Sequence, residues 1–111
     1  MPPISSSEDA QKRLEIIASR LTTPLAAKKM QEDLRNAATY TNPNLPSFVV
    51  ENDRGGRYVG VFSDLVGQYY ATRDPEVLAV AKQVRDFIKE KYPATYQAFQ
   101  QEGVWDIKEG K

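Results

Sequence analysis

Ser47-Phe48-Val49-Val50-Glu51-Asn52-Asp53-Arg54-Gly55-Gly56-Arg57-Tyr58-Val59-Gly60-Val61-Phe62 is the stretch on which the fold turns, because it carries two incompatible periodicities. Phe48 to Glu51 and Arg57 to Phe62 are β-rich runs around a glycine-containing turn, which is a hairpin signal. Yet Tyr58, Phe62, Leu65 and Tyr69 recur at i, i+4, i+7 and i+11, which describes one long helix from Pro46 to Ala71. Glycines at 55, 56 and 60 each cost such a helix about 1 kcal/mol relative to alanine, so the hairpin is the expectation for 48–62. The helix stays open beside it, since an isolated two-stranded ribbon is marginal unless it packs on helices.

Both flanks read as helical. Upstream, Ser7 is a candidate N-cap, Glu8 and Asp9 suit the positive end of a helix dipole, and Leu14, Ile17, Ala18 and Leu21 share one face. Lys12, Arg13 and Arg20 fall off that stripe and are read as its solvated side. Thr22-Thr23-Pro24 breaks the chain and restarts it as a second helix from about Pro24 to Ala38, carrying Ala27, Met30, Leu34 and Ala37. Thr41-Asn42-Pro43-Asn44-Leu45-Pro46 is the main internal boundary, because each proline pushes the residue before it toward extended backbone. Downstream, Ser63 and Asp64 read as the start of a short helix. Asp74-Pro75-Glu76 is the clearest helix start of all, followed by Val77, Val80, Ala81, Val84, Phe87 and Ile88 at helical spacing. Tyr92-Pro93 interrupts that helix, and a last short one over Ala94 to Glu102 ends at Gly103.

The expected fold is therefore a compact, mainly α domain of four or five helices with a short β-hairpin at about 48–62, the alternative being an all-α bundle. Residues 1–6 are expected as a disordered leader, 7–103 as a single helical domain and 104–111 as a C-terminal tail. Ile17, Leu21, Met30, Leu34, Phe62, Leu65, Val80, Val84, Phe87 and Ile88 are the expected core.

The 111 residues include neither cysteine nor histidine, and 15 basic side chains balance 15 acidic ones. Hydrophobic residues at 41% and charged residues at 27% are typical of a chain that folds around a core. Without cysteine there is no disulfide, thiolate nucleophile or zinc ribbon, and without histidine no Ser-His-Asp triad or imidazole ligand. No catalytic residue, cofactor or metal is expected, and an enzyme is the less favoured reading. Nucleic-acid binding calls for a basic excess, whereas even residues 1–40 carry six basic against five acidic side chains. The longest charge-free stretch, Asn36 to Val50, contains two prolines and several polar residues, so no membrane insertion is expected. The first residues have neither the basic nor the apolar region of a secretory signal, and a cytoplasmic protein is the expectation.

Arg54-Gly55-Gly56-Arg57 is the most suggestive tetrapeptide, since glycines admit an anion to backbone N–H groups while guanidiniums offer planar donors. It lacks the ending of a P-loop and the third glycine of a dinucleotide fingerprint, and glycines chosen for a turn with arginines for solubility are the favoured explanation. Among the aromatics, adjacent Tyr69 and Tyr70 cannot both face inward from one helix. Trp105 lies beyond the last helix and either folds back as a lid on the core or stays free as a docking residue. Exposed Tyr, Trp and Arg are the types enriched at binding hot spots. The leading expectation is thus a non-catalytic protein-interaction or regulatory accessory module, contacting another protein or itself as a homodimer through Arg54, Arg57, Tyr58, Tyr70 and Trp105. Loss of residues after Gly103 would on that reading leave the fold intact. The alternative is a binder of small anionic ligands, or a histidine-free enzyme, built on Arg54, Arg57 and Tyr58.

Overall fold

The structure, a computed structural model, describes residues 2–109. Its helices are α1 (Ser7–Ile17), α2 (Pro24–Thr39), α3 (Ser47–Thr72), α4 (Pro75–Lys91) and α5 (Pro93–Gln100), with a single 3-10 turn at Ala18–Arg20 after α1. Each of the first four packs on the next and α1 returns to α4, closing a ring, while α5 lies on α3 and α4. No strand occurs among the described residues, so the mainly α reading stands in its all-helical form.

The expected hairpin at 48–62 is instead the first part of α3, which is unbroken for 26 residues. At 1.5 Å per residue it is about 39 Å long, nearly the 43 Å length of the molecule. Burial decides the competition. Tyr58, Val59, Val61, Phe62, Leu65 and Tyr69 are all enclosed because α3 is flanked by α2 on one side and by α4 and α5 on the other. A hairpin over 48–62 packed on one face would leave two of Tyr58, Val59, Val61 and Phe62 in water. Full burial contributes about 1.5–3 kcal/mol per large apolar side chain, so keeping those two enclosed matches or outweighs about 1 kcal/mol for each of the three glycines. Ser63 and Asp64 accordingly lie inside α3 and start nothing. The helix ends where Arg73 takes a left-handed backbone, φ 54°, and its N–H closes on the Tyr69 carbonyl at 2.6 Å.

The ten expected core residues are all buried, in one cluster. The caps follow local chemistry with one shift of register. Ser6, rather than Ser7, caps α1 by accepting from the Asp9 N–H at 3.2 Å, and the Ser7 hydroxyl donates to the Leu34 carbonyl of α2. Asp74 caps α4 by accepting from the Glu76 N–H at 2.9 Å and also holds Arg20 at 2.9 Å. Those two contacts, the Glu76 N–H first, hold its carboxyl below the usual carboxylate range.

Both described ends of the chain lie against the bundle. Of the segment read as a leader, Pro2 to Ser6 lies against the bundle with Ile4 buried, and Met1 is outside the described residues. Of the tail, Val104 to Glu109 folds back: Trp105 is 5% exposed, and the Lys108 and Glu109 carbonyls accept from Arg73 and Tyr69. Gly110 and Lys111 are outside the described residues. Arg13, expected on the solvated face of α1, is 9% exposed and donates to Gln83 of α4 and to the Pro2 carbonyl.

Candidate functional site

Arg54 and Arg57 sit on α3 one turn apart, and both turn onto Tyr40, the residue that ends α2. The Arg54 Nε donates to the Tyr40 carbonyl at 2.8 Å, and its Nη1 pairs with Glu51 at 2.9 Å. The Arg57 guanidinium lies over the Tyr40 ring, 4.4 Å from its centre, a geometry in which a cation is drawn to the negative ring face. The Tyr40 hydroxyl meets Asp53 at 3.2 Å. The arginines thus fasten the end of α2 to α3. Between them, Gly55 marks a close helix approach rather than a turn: a Cβ there would lie 2.9 Å from the Thr95 Cβ of α5 and closer still to its hydroxyl. Around Gly56 and Gly60 there is open space.

Tyr58 faces the interior, 2% exposed, edge-on to Phe87 at 5.2 Å and stacked on Tyr92 at 5.4 Å. Its neighbourhood opens into a cavity of about 360 Å³ bordered by Ser7, Glu51, Lys91 and Tyr92. Arg57 borders a different cavity of about 260 Å³, with Lys29, Asp33 and Asp64. The Arg54, Arg57 and Tyr58 set expected around one anionic ligand is therefore divided between two faces of α3.

Burial, reinforced by Tyr58 and Glu51, pushes the Tyr92 hydroxyl up to about 12. An unfolded tyrosine ionises near 10, so between about pH 10 and 12 the unfolded chain gives up a proton that the folded chain keeps. The unfolded state is favoured across that window, and stability is lost as pH rises through it. Urea midpoints of the wild-type chain are expected to fall more steeply over that range than those of Tyr92→Phe, and parallel curves would contradict the assignment.

Tyr70 lies near the opposite end of α3, 39% exposed. Its hydroxyl accepts from the Lys108 N–H at 3.0 Å, and Arg73 stands over its ring at 5.3 Å. Trp105 stacks on Tyr96 at 4.8 Å, packs on Phe62 at 5.1 Å, and donates its indole N–H to the Tyr96 carbonyl at 2.8 Å. Of the five expected contact residues, then, Tyr58 and Trp105 belong to the core, Arg54 and Arg57 share the α2–α3 corner, and Tyr70 stands apart. No group of three or more metal-ligating side chains is assembled among the described residues, and no helix there is long and apolar enough to cross a membrane.

No family model, curated protein or solved structure matches this chain. Function rests on the residues alone. What sequence reasoning missed is Phe48, which was assigned to a strand and is 68% exposed on the first turn of α3, with Leu45 38% exposed in the loop before it.

Proposed function

We propose that this protein is a non-catalytic interaction module whose contact face is the exposed start of α3, Phe48, with Leu45 in the loop before it. The observation that carries the reading is the exposure of Phe48, 68%, on a rigid helix end. A large aromatic held in water by ordered backbone gives up little conformational freedom on binding, and aromatics are enriched at interfaces. The proposal includes a cytoplasmic location and a partner that is another protein or a second copy of this chain.

Phe48→Asp is expected to leave the urea midpoint almost unchanged, within about 0.5 kcal/mol, and to weaken partner binding by about 2 kcal/mol. The test places a photo-crosslinking phenylalanine analogue at 48 and, as a control, at exposed Lys12 in producing cells. A discrete adduct from 48 alone, lost when Leu45→Asp is added, supports the start of α3 as the contact face. Equal crosslinking from both positions, or none, overturns it.

A further inference from the structure

We propose that the cavity beside Tyr58 and Tyr92 is a binding site for a small zwitterion with an aromatic side chain, of which a free aromatic amino acid is the simplest case. The site goes beyond the contact face at Phe48 and shares no residue with it, so either can fail alone.

The start of α1, the end of α2, the first half of α3 and the end of α4 converge on this cavity. Its volume, about 360 Å³, falls in the lower part of the range of about 300–1,000 Å³ over which small-molecule sites occur. That suits one amino acid rather than a longer peptide. Three aromatic rings form one side: Tyr58 stacks on Tyr92 and meets Phe87 edge-on, and Phe87 meets Tyr92 at 6.3 Å to close the triangle. Tyr58 and Phe87 are enclosed, whereas Tyr92 is half-buried, which leaves one member of the triangle available to a ligand's aryl group.

The charges on the lining come as an opposite pair. Lys91 borders the cavity, and among the described residues it takes part in no ion pair, with Glu51 or any other acid. Glu51 borders it too, its Oε1 held by the Arg54 Nη1 at 2.9 Å, and a carboxylate fixed in this way still has acceptor positions to spare. A purely anionic ligand would meet Glu51, and a purely cationic one Lys91. A molecule carrying both a carboxylate and an ammonium satisfies the two together. The serines at the start of α1 are already committed: Ser5 donates to Asp9, Ser6 accepts from the Asp9 N–H, and Ser7 donates to the Leu34 carbonyl. Recognition of the charged ends therefore falls to Glu51, Lys91 and the Tyr92 hydroxyl, which burial keeps protonated and able to donate to a carboxylate.

The test is an NMR titration of the full-length, isotope-labelled chain with L-phenylalanine, with phenethylamine, which lacks the carboxylate, and with 3-phenylpropionate, which lacks the ammonium. L-phenylalanine is expected to shift Glu51, Tyr58, Lys91 and Tyr92 resonances saturably. Each one-charge analogue should bind about tenfold more weakly, the scale of one hydrogen bond to a charged group. Lys91→Met should weaken L-phenylalanine by a similar factor and leave phenethylamine unchanged. Glu51→Gln should weaken L-phenylalanine likewise and leave 3-phenylpropionate unchanged. Both side chains are exposed, so the variants should keep the helical circular dichroism of the wild-type chain. Absence of saturable shifts with all three compounds, or equal affinity for all three, overturns the proposal. So does a wild-type chain that prefers either one-charge analogue, which would reduce the cavity to a surface of one charge sign.

Discussion

Trp105→Ala is expected to lower the stability of the fold by about 3–5 kcal/mol, the range for removing a large buried aromatic. The side chain fills the space bounded by Phe62 of α3 and Tyr96 and Phe99 of α5, and its indole N–H satisfies the Tyr96 carbonyl. Alanine leaves both a cavity and a carbonyl without its donor. Against a total of about 5–15 kcal/mol for a domain of this size, such a loss is a large fraction of all the stability there is. Urea denaturation measures it directly. Truncation after Gly103 removes the same side chain together with the contacts of Lys108 and Glu109, so it should be at least as harmful. The packing of Trp105 thus leads to the opposite expectation from the sequence alone, on which loss of these residues leaves the fold intact. A Trp105→Ala chain within about 1 kcal/mol of wild type would mean that the tail does not seal the core.

Gly55→Val is expected to cost about 3 kcal/mol, the upper end of the usual range for overpacking. The face of α3 at Gly55 is in contact with Thr95 at the start of α5, and any Cβ requires the two backbones to separate. Separation is expensive because α5 also carries Tyr96 and Phe99, which hold Trp105. Thr95→Ala should recover only part of the loss, since the Thr95 Cβ itself stands 2.9 Å from the added atom. Gly56→Ala and Gly60→Ala provide the contrast. With open space around both and helical backbone at each, alanine should stabilise by up to about 1 kcal/mol. Urea midpoints for the set decide the matter: a loss at 55 beside gains at 56 and 60 is the signature of helix packing. Losses at all three would point to a turn that needs glycine.

These glycines also show where the sequence was legible and where it was not. Asp74-Pro75-Glu76 and Thr23-Pro24 were readable because a cap and a fixed φ act within a few residues, and α4 and α2 begin there. The regular spacing of Leu14, Met30, Leu34, Val80 and Val84 needed no knowledge of a partner surface. Gly55 could not be read, since a glycine required by a neighbour 40 positions away is spelled the same as one required by a turn. Arg13 misled for a related reason: its place off the apolar stripe of α1 is real, but Pro2 to Ser6 and Gln83 cover that side of the helix. Tyr58 and Trp105 were singled out for their side-chain type, and tertiary packing took both. Phe48 was passed over because a strand would have hidden it. Its exposure follows only once residues 47–62 are helical.

The whole account depends on Ser47–Thr72 being one helix, and backbone chemical shifts of the uniformly labelled chain test that most directly. Unbroken helical Cα shifts from Phe48 to Ala71, with sequential amide contacts running through Asn52 to Arg57, are the predicted result. Extended shifts at Val49 and Val59 with cross-strand contacts between them would contradict it, returning Gly55 and Gly56 to a turn and dissolving the helix end on which Phe48 stands.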